Sequence, residues 1–170
     1  TITDIPMPEV QELRLDNGIP VYVVDMGTQE VLKVEVIFKG GRPYEHKKLA
    51  SRATSALLRE GTQNYNSAEL AEKLDYYGSS LAIPYHTDTA SLTLLSLNKH
   101  FNQVLPLLGE VIKTPSFPEQ ELQAFIQRSV QHLQVDLSKN DVVAYRQITE
   151  QFSGPEHPYG YNSTAETYNQ

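Results

Sequence analysis

The 170-residue sequence contains no cysteine, no tryptophan and no long apolar run. The absence of cysteine excludes disulfides, zinc ribbons, thiolate nucleophiles and iron–sulfur clusters, so any metal would need His, Asp or Glu ligands. No apolar stretch approaches the ~18 residues that a membrane span requires. Basic residues are also fewer than acidic ones. The sequence has 14 Lys plus Arg and 21 Asp plus Glu, which gives a formal net charge of −7. An acidic chain is a poor partner for nucleic acid and for anionic membranes, and we expect it to bind neither.

Five segments have the pattern of β-strands. Alternation over 10–15 and a β-rich run over 19–24 flank the turn residues Asp16-Asn17-Gly18, which predicts a hairpin. A third strand is predicted over 31–38, ending at Gly40-Gly41. The last two strands are predicted over 79–83 and 90–97.

Apolar residues at helical spacing predict five helices. They run over about 47–59, 66–78, 99–112, 116–138 and 142–152. Asn66 and Glu69 have a capping-box pattern at the start of the second helix. Gly61 is expected at the C′ position of the first helix, and Ser116 is expected to cap the fourth. The order of elements indicates an α+β fold, which is a largely antiparallel sheet with helices packed on one face. No helix or strand is predicted in the tail after Gly160.

The sequence contains no local catalytic motif. Histidines occur at positions 46, 86, 100, 132 and 157, so no two lie three or four apart on a helix, the spacing that lets one face hold a metal with two imidazoles. A metal site assembled from residues distant in sequence stays open. There is no Gly-x-Ser-x-Gly elbow, and Gly40-Gly41 lacks the further glycines and the Lys-Ser/Thr pair of a phosphate loop.

An ordered set of short motifs resembles the first domain of the insulinase family, which includes pitrilysin and the mitochondrial processing peptidase. The resemblance covers nearly the whole chain. Its motifs are Leu15-Asp16-Asn17-Gly18-Ile19-Pro20-Val21-Tyr22, Gly40-Gly41, Glu60-Gly61-Thr62, the 67–78 segment with Leu70, Leu74 and Gly78, Phe117-Pro118-Glu119 and His157-Pro158-Tyr159-Gly160. The fold that it implies is metallopeptidase-domain-like.

In active members of that family, a helix carries the inverted zinc motif His-x-x-Glu-His, whose two His bind zinc and whose Glu activates water. Aligned on the Gly-Thr pair that follows this helix, the resemblance places Arg52, Ser55 and Ala56 at those positions. The family's third ligand, a Glu on the long helix, corresponds to His132, 76 residues after Ala56. Arg cannot lose its proton to bind a cation, Ala has no ligand atom, and a Ser hydroxyl is too weak a base. We therefore expect neither zinc nor another cofactor in this chain, and no peptidase activity. His132 is expected to be partly exposed, because it lies beside the apolar stripe of its helix.

The resemblance also indicates a candidate substrate strand. In active members, an edge strand matching Ser80, Leu81 and Ala82 receives substrate by β-addition. Here Ala82-Ile83 replaces the usual Asn-Ala, and Pro84 is expected to interrupt the strand, which argues against a fully inherited role.

The function that the resemblance implies is that of a non-catalytic subunit or domain of an insulinase-like zinc peptidase assembly, which helps to enclose and orient unfolded or short peptides. Its expected partners are an active subunit with an intact His-x-x-Glu-His motif, which would hold the zinc, and the second domain of its own chain. Residues 1–170 are expected to be an incomplete first domain that lacks a C-terminal strand. The expected location is the bacterial periplasm or cytoplasm rather than the mitochondrion.

Two alternatives stay open. One is a zinc metalloendopeptidase with a relocated metal site, and the other is a stand-alone peptide-binding or scaffold module. Stoichiometric zinc would distinguish the enzyme from the other two. Co-purification with an intact-motif chain would distinguish the subunit from the module.

Overall fold

The computed structural model describes residues 8–27 and 29–169. The chain forms two compact units, Thr1–Val31 and Leu32–Gln170. The first unit contains the predicted hairpin, in which strand β1 (Val10–Arg14) pairs antiparallel with strand β2 (Pro20–Val24). Gly18 takes a positive φ of 84° in the turn between them, a conformation that glycine adopts without steric cost. The hairpin prediction is therefore confirmed.

The second unit is built on a three-stranded sheet of order β3-β5-β4. Its strands are β3 (Val31–Lys39), β4 (Ser80–Ala82) and β5 (Thr89–Leu97). Strand β4 runs antiparallel to β5, with Leu81 opposite Leu94, and it lies at the edge of the sheet. The predicted class of mixed helix and antiparallel sheet is confirmed.

Six α-helices complete this unit among the described residues. They are α1 (Ala50–Leu57), α2 (Ser67–Tyr76), α3 (Phe101–Lys113), α4 (Glu119–Leu137), α5 (Asn140–Ser153) and the short α6 (Ala165–Tyr168). The predicted capping box at α2 is present, because the Asn66 side chain accepts from Glu69 N at 3.0 Å and the Glu69 carboxylate accepts from Asn66 N at 2.9 Å. In the part of the chain that the structure covers, no helix is long and apolar enough to cross a membrane.

Three details of the sequence prediction were wrong. Helix α1 ends at Leu57, so Gly61 is not its C′ residue but lies in an extended bridge opposite Asn66 at φ 147°. Pro118, not Ser116, is the N-cap residue of α4. Helix α6 was not predicted, because a single turn has too few residues to show a helical period.

The core lies between the sheet and helices α2 and α3. The side chains of Leu92 and Leu94 on β5 are 2% and 1% exposed, and they pack with Val104 and Val111 of α3, each 0% exposed. Leu95 is 44% exposed, because successive side chains of a strand point to opposite faces. A second, smaller cluster joins Leu49, Leu133 and Tyr168 and packs the start of α1 against α4 and α6.

This packing gives a prediction for two adjacent leucines. We expect Leu94→Ala to lower the free energy of unfolding by about 2–5 kcal/mol, because it removes buried methyl groups and leaves a cavity. The matched Leu95→Ala variant is expected to cost less than about 1 kcal/mol, since its side chain is already partly in water. Urea unfolding followed by circular dichroism measures both. Equal losses in the two variants would contradict this placement of the core.

Candidate functional site

Helix α1 carries the three positions that the resemblance aligns with the zinc motif. The guanidinium of Arg52 is half-buried, and its Nη1 donates to the Tyr168 hydroxyl of α6 at 2.8 Å. The same guanidinium carbon lies 6.0 Å from the centroid of the Tyr168 ring. Because Tyr168 is 6% exposed, Arg52 is held by a buried partner and ties α1 to α6.

The other motif positions lie in different environments. Ser55 is buried, with 6% of its surface exposed, whereas Ala56 lies on the exposed side of α1. His132 is exposed on α4, next to the buried Leu133, where the sequence predicted partial exposure. Helices α1 and α4 do pack together, so the fold brings together the two elements on which the family pattern places its ligands.

The donor atoms at these positions do not fit a zinc ion. Catalytic zinc needs about three protein ligands and one open position, and of the four side chains only the imidazole of His132 is a usual ligand. Within residues 8–27 and 29–169, no group of three or more His, Asp and Glu side chains is arranged to hold a metal ion. We therefore assign no zinc-dependent step to these residues.

A partly buried polar network fixes the beginning of α1. The carboxylate of Glu45 accepts from Leu49 N at 3.1 Å and from Ser51 N at 3.0 Å, and it also accepts a hydrogen bond from the Ser51 hydroxyl. A carboxylate in this place satisfies free N–H groups of the first turn and interacts favourably with the helix dipole. Leu49 takes a left-handed conformation at φ 72°, which explains why the helix begins at Ala50 and not at the predicted residue 47.

The network continues into the turn at 157–161. The Tyr161 hydroxyl donates to Glu45 Oε2 at 3.0 Å, and the guanidinium carbon of Arg42 lies 4.5 Å from the Tyr161 ring centroid. Arg42 Nη1 also contacts the carbonyl oxygens of Pro158 at 3.2 Å and Tyr161 at 3.4 Å. Burial, together with the negative charge of Glu45, raises the pKa of Tyr161 to about 12. Sequence reasoning missed this network, since Glu45 and Tyr161 lie 116 residues apart.

The candidate substrate strand is β4 itself. Leu81 is buried against the core, while Ser80 and Ala82 are exposed. In the described part of the sheet, β4 has β5 as its neighbour and no strand on its other side. The strand ends at Ala82, two residues before Pro84, and pairing with β5 resumes at the bridge between Tyr85 and Ala90. The exposed edge therefore consists of only three residues.

Two cavities lie near these elements. One, of about 460 Å³, lies between the 155–167 segment and α5, and the other, of about 350 Å³, lies between the start of α1, α4 and α6. Among the described residues that line them there is no histidine. Neither cavity joins a nucleophile to a histidine base.

The family model described as insulinase (peptidase family M16) matches residues 21–153. Among solved structures, the chain is similar to a peptidase M16 inactive domain from Pseudomonas fluorescens, with 22% identity, a TM-score of 0.84, and coverage of 91% of this chain and 38% of that one. A protease from Helicobacter pylori has 17% identity and a TM-score of 0.79, with coverage of 96% and 40%. The periplasmic protease PqqL from Escherichia coli has 14% identity and a TM-score of 0.80, with coverage of 98% and 19%.

At these identities, the solved structures show a shared fold. The chain spans at most about two-fifths of the length of each of the three, and it covers only 19% of the longest match. Among curated protein sequences, none matches the chain.

The raised pKa of Tyr161 gives a prediction about stability at high pH. Between the pKa of an unfolded tyrosine, about 10, and the folded value of about 12, the unfolded chain loses this proton first. The native state then holds more protons, so the free energy of unfolding falls as pH rises through that range, by up to about 2–3 kcal/mol from this group.

Denaturant unfolding of the wild type and of Tyr161→Phe at pH 8, 10 and 11 measures this effect. We expect the difference between the two proteins to shrink as pH rises, because the phenylalanine variant has no proton to lose. Tyr145→Phe is the control, since Tyr145 is 70% exposed. A constant difference across the pH range would contradict the prediction.

Proposed function

The chain belongs to the insulinase family (peptidase family M16), and we propose that it serves there as a non-catalytic domain or subunit that helps to enclose and orient peptide substrates. The observation that carries the proposal is the state of the motif positions. Arg52 is hydrogen-bonded to Tyr168, Ser55 is buried, and Ala56 has no ligand atom. A positively charged guanidinium at a ligand position also repels a divalent cation.

A peptide-binding role is supported by the edge of the sheet. An exposed edge strand presents unpaired backbone N–H and C=O groups, with which an extended peptide can pair. Ser80 and Ala82 on β4 are small and exposed, so their side chains would not obstruct a neighbouring strand. We expect short or unfolded peptides to add at this edge, with binding carried mainly by backbone hydrogen bonds.

Catalysis would then belong to a partner. We propose that the partner is an insulinase-like subunit with an intact His-x-x-Glu-His motif, which would hold the zinc. The solved relative described as an inactive domain supports the idea that this fold is used without activity. A bacterial periplasmic or cytoplasmic location agrees with the bacterial sources of the three solved relatives, one of which is described as periplasmic.

The metal part of the proposal predicts the result of restoring the motif. The wild-type chain is expected to show no zinc binding by calorimetry and to cleave no peptide. The combined variant Arg52→His, Ser55→Glu, Ala56→His and His132→Glu is expected to bind one zinc ion, with little turnover, because ligand orientation also depends on surrounding groups. Calorimetric titration and a peptide cleavage assay measure the two properties.

A matched control carries Ser55→Gln in place of Ser55→Glu, which keeps the new imidazoles and removes the carboxylate base. Circular dichroism checks that losing the bond from Arg52 to Tyr168 leaves the fold intact. Stoichiometric zinc in the wild-type chain, lost in His132→Ala, would refute the non-catalytic assignment and support a relocated metal site.

The peptide part is tested with a single cysteine, since the native chain has none. In Ala82→Cys, a short unstructured peptide is expected to slow thiol modification several-fold, because the added strand covers this edge. The control is Ala144→Cys on α5, which is also exposed and lies far from β4 in sequence. Protection of both cysteines alike, or of neither, would contradict peptide addition at β4.

A further inference from the structure

The loop that follows the edge strand is hydrogen-bonded to two residues that are distant in sequence, Arg42 and Tyr159. After β4 ends at Ala82, residues 83–88 lead into β5. Three atoms of this loop are hydrogen-bonded: the Thr87 carbonyl oxygen accepts from Arg42 N at 2.7 Å, the Tyr85 hydroxyl accepts from Arg42 Nε at 3.2 Å, and the Asp88 carboxylate accepts from the Tyr159 hydroxyl. The loop is therefore held both by the segment after β3 and by the turn at 157–161.

Arg42 is the residue at which these attachments meet. Its Nε holds the loop through Tyr85, and its Nη1 holds the turn through the carbonyl oxygens of Pro158 and Tyr161. Its guanidinium also lies over the Tyr161 ring, whose hydroxyl reaches Glu45 at the start of α1. Only a planar group with several donors can make these contacts together, which a lysine ammonium cannot reproduce.

The backbone at Gly41 lies very close to the backbone of the loop at Thr87. Gly41, next to Arg42, has φ 86°, and a Cβ at this position would lie 2.2 Å from the Thr87 carbonyl oxygen. A side chain there would push the loop away. The glycine thus permits the short bond from Arg42 N to Thr87 and fixes where the loop can lie.

We propose that Arg42 is a positioning residue for the β4 edge, holding the strand and its loop in the geometry that accepts a peptide and coupling them to helix α1. This inference rests on the proposed function, because it assigns a role to Arg42 in peptide binding at β4. A three-residue strand with one neighbour frays readily on its own. Holding its loop in place reduces the ordering cost that peptide binding would otherwise carry.

Two variants and two controls test the proposal. Arg42→Lys keeps the charge but loses the fork of donors, and Tyr85→Phe removes only the bond from Arg42 Nε to the Tyr85 hydroxyl. Their controls are Arg128→Lys, on the exposed side of α4, and Tyr145→Phe. Amide hydrogen exchange is measured for residues 80–88 and for α3, and peptide affinity is measured by protection of Ala82→Cys in each background.

We expect both variants to speed exchange over 80–88 and to weaken peptide binding by about tenfold, as for the loss of one charge-assisted hydrogen bond. Exchange in α3 should not change, and both controls should behave as the wild type. Tyr85→Phe leaves the contacts of Arg42 with the turn in place, and the exchange in α3 reports any change in overall stability. Unchanged exchange over 80–88, or equal acceleration in α3, would overturn the positioning role.

The two proposals fail in different ways. If the wild-type chain binds no peptide, peptide addition at β4 is refuted, while the exchange pattern still decides whether Arg42 orders the edge. If the wild type binds peptide and Arg42→Lys and Tyr85→Phe bind it equally well, the proposed function stands and the positioning role of Arg42 is refuted.

Discussion

The carboxylate of Glu45 is the interaction on which the arrangement of this domain depends most. It accepts hydrogen bonds from two backbone N–H groups at the start of α1 and from the hydroxyl of Tyr161. Each partner satisfies part of a charge that would be costly to bury alone. Since Tyr161 also stacks under Arg42, which reaches the loop after β4, one carboxylate links the motif-bearing helix, a late turn and the sheet edge.

Protein contacts hold the motif helix in place. In a metalloenzyme of this family, zinc would join α1 to α4 through ligands on both helices. Here a protein contact connects α1 to its surroundings, because Arg52 is bonded to the buried hydroxyl of Tyr168 on α6, and α6 packs on α4. The guanidinium of Arg52 carries a positive charge at this motif position, and its contact orients α1 but offers no coordination position.

Much of the fold could be predicted from the sequence, since its signals are local. The Asn-Gly hairpin, the capping box of Asn66 and the apolar period of α3 each lie within a few residues. The missing features depend on contacts between distant residues, such as the capping of α1 by Glu45 and the bonds of Arg42. The site positions 52, 55, 56 and 132 could be identified from the sequence. The partner of Arg52 could not, because Tyr168 lies 116 residues away in the sequence.

These observations separate the geometry of the domain from the chemistry of its family. Arg42 is hydrogen-bonded to the loop after the edge strand, Glu45 caps the motif helix, and neither residue stands at a motif position. The contacts that hold the loop after the sheet edge and that cap α1 therefore come from residues outside the motif positions. This separation is the physical basis for proposing that the domain binds extended peptides beside an active partner.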